Sequence, residues 1–419
     1  MDVLLYILFV FLGIAFGILT GLTPGFHVNN VAIIALSIYA ATKIDAFLLA
    51  NMIVANMITH TFLDFIPSTF LGAPSEDTSL SVLPMHRLLL HGQGYRAVYI
   101  STFGSLLATL FAMPLIPLFK IALIDLNLSN YLTYYTPVIL VAIILGILYM
   151  ESKKGLKYIA LASLIFILSG IFGYLALNIP LNNNYMPLRL TPNTLFPVFT
   201  GLFGIPVLIL SQHTEVPEQK IEKVHVLKKH YFSSMIGTLT GSLVGFLPGV
   251  TSGVAAVLSR LFVKNDDTED FIFALGSVNT SNYIFNLLAL FLILKPRSGA
   301  VNAISQMITV NLWNFSTLPP GDFVIILLTV VIASIASFFI TLKIGKFVAL
   351  KIGNIGSRYG LISRAMILTL GVLIFIFSGT IGLFLAVVAT LIGLLPPKLG
   401  TMRVHLMGVI ILPALLAYL

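Results

Sequence analysis

The sequence predicts an all-α polytopic membrane protein made of two related repeats, each carrying a helix broken at Pro-Gly that can re-enter the membrane. Three observations lead there. Of 419 residues, 58% are hydrophobic and 9% charged, and the mean hydropathy is +1.03. Apolar blocks recur along the whole chain. A Gly-x-x-x-Gly-x-x-Pro-Gly pattern occurs once near the start of each half. A soluble domain carries roughly 25% charged residues. So few charges cannot cover a water-facing surface of this size, so lipid must be the solvent and the chain belongs in the cell membrane as a multi-pass protein. Cytosolic enzymes, nucleic-acid binders and disordered scaffolds are thereby excluded. With no Cys there is neither a disulfide framework nor thiol chemistry. The net charge of +8 reads as orientation, because Lys and Arg gather in cytoplasmic loops.

The elements follow in order. The start, Met1-Asp2 followed by apolar sequence to Leu22, has neither a basic leader nor a small-residue cleavage site, so it reads as a first membrane helix. Further apolar runs lie at 28–42, 46–71, 97–119, 131–150, 156–177, 195–211, 230–247, 250–263, 271–294, 299–318, 322–342, 362–395 and 403–418. Helix is the spanning element, since each backbone polar group in lipid needs a partner and β-barrel alternation is missing. A crossing takes about 20 residues. The runs at 28–42 and 250–263 fall short, and each begins just after a Pro-Gly pair, so they read as half-helices.

Three basic loops read as cytoplasmic. They are 343–364, the Lys153/Lys154/Lys157 loop, and the Lys-rich stretch at 220–229. Five runs separate 230 from 343, an odd number between two cytoplasmic ends. At least one does not cross, and the short pieces beside Pro248-Gly249 are the candidates.

The duplication rests on three matches in the same order. Gly17, Gly21 and Pro24-Gly25 recur 224 residues later as Gly241, Gly245 and Pro248-Gly249. Ser169-Gly170-x-x-Gly173 recurs as Ser378-Gly379-x-x-Gly382. Leu202-Phe-Gly204 is echoed by Leu406-Met-Gly408. The expected organisation is membrane repeat 1 at 1–211, a polar cytoplasmic linker at 212–229, and membrane repeat 2 at 230–419. Paired repeats of this kind are a common plan of secondary transporters.

Chemistry is expected at the breaks. Pro removes a backbone donor, Gly permits an unwound turn, and the half-helix that follows starts with free N–H groups at its positive dipole end. Pro24, Gly25, Asn29 and Asn30 in the first half, and Pro248, Gly249, Thr251 and Ser252 in the second, are candidate ligands for a small organic anion. The competing reading is a kink with close Gly-x-x-x-Gly packing. A second constellation lies inside apolar sequence, where ionisable groups are functional by default. Asn56, His60 and Asp64, with Asn279 and Asn282, are candidates for an ion-coupling site. His60 and Asp64 are four apart and share a helix face. An Asp–His pair that only locks two helices is the alternative. Lys295 and Arg297 either meet an anion or snorkel. No phosphate loop, HExxH, GxSxG or ligand-spaced His set occurs, so no catalytic residue, metal or cofactor is expected.

The stretch Gly72-Ala-Pro74-Ser75-Glu-Asp-Thr78 through Pro84-Met85 to Gly92-Gln-Gly94-Tyr-Arg96-Ala97 resembles the large membrane subunit of the tripartite tricarboxylate transporters. The two Pro-Gly tips and Gly201-Leu-Phe-Gly204 match that family as well, so the resemblance covers nearly the whole chain. It implies an ion-coupled permease for a carboxylate, not an enzyme. It also implies a small membrane subunit and an extracytoplasmic binding protein as partners, and a substrate role for Pro74 and Ser75. Two features depart from the family pattern. Glu76 and Asp77 stand where small neutral residues are usual, and Lys295-Pro-Arg297 replaces a neutral Gly-Ile-Pro-Gly. The ending Leu395-Pro-Pro397 to Gly408 resembles an archaeal branch. A weaker likeness links Pro248-Gly-Val-Thr-Ser-Gly253 to polyprenyl-phosphate translocases, which makes a lipid-carrier translocase the alternative function.

Overall fold

In a computed structural model the described residues are 2–24, 26–42, 44–75, 77–179, 194–210, 216–222, 224–247, 250–263, 268–314, 318–353 and 359–418. Among them there are helices and turns and no strand. The first half contains α1 (Val3–Leu22), α2 (Val28–Ala41), α3 (Ala46–Leu63), α4 (Phe65–Phe70), α5 (Val82–Leu90), α6 (Gly94–Lys120), α7 (Leu128–Glu151), α8 (Leu156–Asn178), α9 (Leu195–Phe199) and α10 (Ile205–Leu210). The second contains α11 (Lys228–Val244), α12 (Ser252–Phe262), α13 (Thr268–Ile293), α14 (Gly299–Met307), α15 (Gly321–Gly353), α16 (Tyr359–Gly393), α17 (Leu395–Leu399) and α18 (Gly408–Leu416). Seven segments among the described residues are long and apolar enough to cross a membrane: α1, α3 with α4, α6, α7, α8, α15 and α16. The protein is therefore a multi-pass integral membrane protein.

Local chemistry sets the ends. Asp2 caps α1 by accepting from the Leu4 amide at 2.9 Å, and Asp45 caps α3 by accepting from Phe47 at 2.8 Å. The 14-residue α2 and the 11-residue α12 are the short helices expected after the Pro-Gly pairs. At 1.5 Å per residue, α12 reaches about half of a ~30 Å hydrocarbon core. The run at 299–318 differs from expectation. Helix α14 covers nine residues and stops at Met307. The chain then runs non-helically past Trp313, whose amide donates to the Phe291 carbonyl at 2.9 Å. Hydropathy alone cannot distinguish an apolar irregular segment from a helix.

Two helix pairs make the centre. Gly13, Gly17 and Gly21 of α1 lie against Met52, Asn56 with Thr59, and His60 with Leu63 of α3. Gly237, Gly241 and Gly245 of α11 lie against Ala274, Val278 with Ser281, and Asn282 with Phe285 of α13. In both pairs the helices are parallel and a Gly stripe lets the backbones touch.

The pairs run in opposite directions, as a chain of contacts shows. Helix α15 is parallel to α3, with Thr329 bonded to Asn51 and Ser337 to Thr59. Helix α15 is antiparallel to α6, with Ser334 bonded to Thr109 and Gly345 beside Val98. Helix α6 is parallel to α13, with Arg96 bonded to Glu269, Ser105 to the Gly276 carbonyl, and the Phe119 ring edge-on to Phe285.

Outside this centre the halves interlock. Helix α8 packs on α18, with Gly173 against Val409, while α16 packs on 195–210, with Gly393 against Leu202.

The 212–229 stretch is more than a tether. Its Gln219 is buried, accepts from the Gly94 amide at 2.8 Å and donates to the Leu89 carbonyl at 3.1 Å. Lys220 donates its amide to the Gly92 carbonyl at 2.8 Å. Gly92 sits at φ +75°, and a Cβ there would press on the Glu218 carbonyl. The Gly-Gln-Gly stretch quoted for the family resemblance thus docks the linker.

Nearby, Arg96 clasps Glu269 through two bonds of 2.5 and 3.0 Å. Arg96→Gln and Glu269→Gln should each lower stability by about 1–2 kcal/mol. The double variant should cost less than the sum of the two. Strict additivity in detergent melting curves would show that the pair contributes nothing.

Candidate functional site

The site forms where the C-terminal end of α3 crosses the middle of α13. Both helices are buried on nearly every face, so their polar side chains meet each other rather than water. Thr61 and Thr280 hydroxyls meet at 2.9 Å. One turn further, Asp64 closes α3 and its Oδ2 accepts from Asn279 Nδ2 at 3.0 Å and from Ser75 Oγ at 3.4 Å. His60 Nε2 lies 3.9 Å from the same oxygen. On its other side, His60 Nδ1 is 3.1 Å from the Thr20 hydroxyl, which donates to Asn56 Oδ1 at 3.1 Å. The chain Asn56–Thr20–His60–Asp64–Asn279 thus joins α1, α3 and α13. Its members from α3 and α13 are at most 3% exposed.

A second carboxylate closes the other side. Asp77 Oδ1 accepts from Ser252 at the start of α12, and its Oδ2 accepts from the Tyr283 hydroxyl at 3.0 Å. His27 Nε2 is 3.3 Å from that hydroxyl and 3.9 Å from Asp77. His27 caps α2, its Nδ1 accepting from the Asn29 amide at 3.3 Å. Its ring stands edge-on to His60 at 5.3 Å between centroids. Two histidines and two carboxylates, all from the first half, therefore cluster here, with Ser252, Asn279 and Tyr283 of the second half as their neutral partners. Pro74-Ser75 forms the turn between them, with the Ser75 amide donating to the Thr78 hydroxyl at 3.0 Å. A cavity of about 40 Å3 lined by Thr20, Pro24, His27, His60, Asp64 and Ser75 opens into the cluster. It has room for a few waters, at ~10–15 Å3 each, and none for a tricarboxylate. Several atoms have no hydrogen-bond partner: Asp64 Oδ1, His60 Nε2, Asn56 Nδ2, Asn279 Oδ1 and Thr251 Oγ1. Buried orphans of this kind are costly and mark a place for a proton, water or ion.

The expected residues divide into groups. Asn56, His60, Asp64, Asn279, Ser75, Pro24 and Ser252 come together. Thr251 precedes the first residue of α12 with its hydroxyl unbonded, and Pro74 is packed under the turn near Gly204. Asn282 lies on α13 against Gly245, and Asn30 is buried on α2. Asn29 is engaged elsewhere, since its Oδ1 accepts from the Ala300 amide at 2.9 Å and ties α2 to the start of α14. Gly25, Pro248 and Gly249 lie outside the described residues, as does Glu76. Sequence reasoning passed over Thr20, His27, Asp77 and Tyr283 as ligands. Their signal was present for His27, which follows the first tip, and for Asp77, which follows the Pro74-Ser75 turn. Nothing in the apolar context of Tyr283 announces its role. Among the described residues no group of three or more His, Asp or Glu is placed to hold a metal ion.

A helical membrane protein with an interlocked pair of halves and a charged, water-sized centre has the build of a transport protein. The chain belongs to the tripartite tricarboxylate transporter TctA family, whose profile matches residues 7–408. The large membrane subunit expected from the Pro84–Ala97 stretch is thereby established at family level. Members of that family work within a tripartite transporter together with a small membrane subunit and a binding protein. An uncharacterized protein of Methanocaldococcus jannaschii, MJ1079, is 31% identical over 99% of this chain and 100% of its own length. That relative fits the archaeal ending noted in the sequence. No solved structure matches the chain.

Proposed function

We propose that the protein is an ion-coupled permease that moves a small organic anion, such as a carboxylate, between two inverted repeats. The single observation that carries this is the crossing of α3 and α13. There Asp64 and His60 of one repeat meet Asn279 of the other in a dry, partly unsatisfied network. The repeats are supported by the matched Gly stripes and by the opposite direction of the two pairs. By that matching, His60 and Asp64 stand where Asn282 and Asn286 stand in the second pair, so one repeat titrates and the other does not. The reciprocal packing of α8 on α18 and α16 on 195–210 is what a two-fold relation demands. The α11–α12 pair folds back as a re-entrant hairpin: Lys229 and His230 approach Asp270 at 3.7 and 3.5 Å, and Arg260 at the end of α12 lies over the Phe271 ring.

The coupling ion is a proton, held between His60 and Asp64. Imidazole is a poor ligand for a hard cation such as Na+, which takes oxygen donors, whereas a His–carboxylate pair exchanges protons. The anion binds at the two broken tips, on the N–H groups of the half-helices α2 and α12. In this closed conformation Asp77 stands in for it at the start of α12. Moving Asp77 off Ser252 and toward His27 frees the tip. The lipid-carrier alternative has no comparable support, since the family is one of carboxylate transporters.

The test is uptake into proteoliposomes reconstituted with the partner subunits. Gly249→Val should abolish carboxylate uptake in a variant that still elutes as folded protein, because a Cβ and its methyls block approach to the tip. Full uptake by that variant would remove the tip from the binding site.

A further inference from the structure

A larger cavity lies elsewhere, and the transport reading does not use it. It encloses about 460 Å3, within the range of small-ligand pockets. Ser79, Pro84 and Arg87 line one wall, Lys154 a second, Arg260 and Thr268 a third, and Thr401 and Arg403 a fourth. It thus draws on α5 and the turn before it, the α7–α8 loop, the α12 end with the α13 start, and the segment between α17 and α18. Both halves contribute. Four cationic side chains face this volume, and none of its lining residues is acidic.

The described acids nearby are spent on other partners. Glu151 is fully buried, bonds Lys154 at 3.0 Å and accepts from the Met402 amide at 2.6 Å. Glu269 is held by Arg96, and Asp270 faces Lys229 and His230. Glu151 therefore offsets Lys154. Arg403 Nη1 is buried with no hydrogen-bond partner, and Arg87 faces it as a like charge. Burial and the Arg87 cation pull the Arg403 guanidinium down to about 10, which still leaves it charged at neutral pH. Two like charges brought together around a half-dry cavity, one with an idle donor, are unfavourable unless an anion sits between them. Guanidinium forks match carboxylate and phosphate oxygens in pairs. The hydroxyls of Thr268 and Thr401 add neutral donors. Leu83, Phe203 and Val404 form the apolar remainder of the wall.

We infer that this cavity is a second anion site, separate from the Asp64–Asp77 centre, which binds a multiply charged oxyanion between Arg87 and Arg403. It lies beside Lys154 on the Lys-rich face, which the charge bias places in the cytoplasm. The oxyanion is either a free di- or tricarboxylate or phosphate, or the phosphate headgroup of an anionic lipid. In each case the chemistry is the same.

Two arms of one experiment distinguish these sources, both on the purified full-length chain. Calorimetric titration with citrate and with inorganic phosphate reads the free anion. Native mass spectrometry from nanodiscs of phosphatidylglycerol against phosphatidylcholine reads the lipid. Arg87→Gln, Arg403→Gln and the double variant should weaken whichever ligand binds by about tenfold or more. Arg87→Lys should bind more tightly than Arg87→Gln and more weakly than the wild type, because it keeps the charge and loses the fork. Arg87 is exposed, so its variant folds irrespective of what happens at Arg403. A wild-type protein that binds no oxyanion in either arm, or binding unchanged in Arg87→Gln and the double variant, overturns the site. Neither outcome depends on transport, so loss of this site and failure of the permease reading are told apart by uptake measured on the same preparations.

Discussion

Asp64→Asn should leave a folded protein that can no longer concentrate its substrate. In the wild-type protein a pH step of one unit supplies about 1.4 kcal/mol per proton, enough for roughly tenfold accumulation. The amide keeps the size of the carboxyl and can still bond Asn279 and Ser75, whose contacts to Asp64 span 3.0 to 3.4 Å. It cannot carry the proton shared with His60. The accumulation ratio in proteoliposomes should therefore fall to one while downhill exchange continues. Retained pH-driven accumulation in Asp64→Asn would remove Asp64 from the coupling path and return the His60–Asp64 pair to a helix lock. The same assay on Asn279→Asp separates the two readings further. A second carboxylate against Asp64 should shift the pH dependence of uptake, whereas a mere lock would lose stability and keep its profile.

The largest stability effects are expected at the Gly stripes. Gly17→Leu and Gly241→Leu place a branched side chain where α1 touches Thr59 and Asn56, and where α11 touches Ser281 and Val278. Overpacking a tight core costs ~1–3 kcal/mol when neighbours can yield. Here the neighbours are the short Thr59 and Ser281 side chains and the helix backbone at Asn56 and Val278, which make room for a leucine only by separating the pair and dismantling the crossing. Both variants should lose the folded peak in size-exclusion chromatography. Gly371 is the control: it lies within α16, and a Cβ there meets nothing within 4 Å. Gly371→Ala should be neutral or more stable by about 0.5–1 kcal/mol through helix propensity. Folded Gly241→Leu with wild-type melting would refute the close approach of α11 and α13.

Much of the site was legible in the chain because lipid makes polar residues conspicuous. Asp64, His60, Asn56 and Asn279 stand out in apolar blocks, where only a partner or a function offsets their cost. Their pairing was not legible. That Asp64 bonds Asn279, 215 positions away, follows from which turn of α3 meets which turn of α13. Periodicity does not encode that register. Asn29 shows the opposite failure. It follows a Pro-Gly tip and has the right chemistry, yet its amide oxygen is spent on the backbone of α14.

The sequence by itself determined the solvent, the helical class, the family and the breaks at Pro24 and before Thr251. These depend on composition and on residues adjacent in the chain. Only the tertiary structure decided that the two Gly-striped pairs run in opposite directions, that Asp77 reaches Ser252 and Tyr283, and that four cations from distant segments share one cavity. Those are statements about which surfaces meet. In a membrane protein the drive to bury apolar surface is nearly blind to partner choice, because lipid and helix are equally apolar. The fit of Gly stripes and the pairing of a few polar atoms then select the partners.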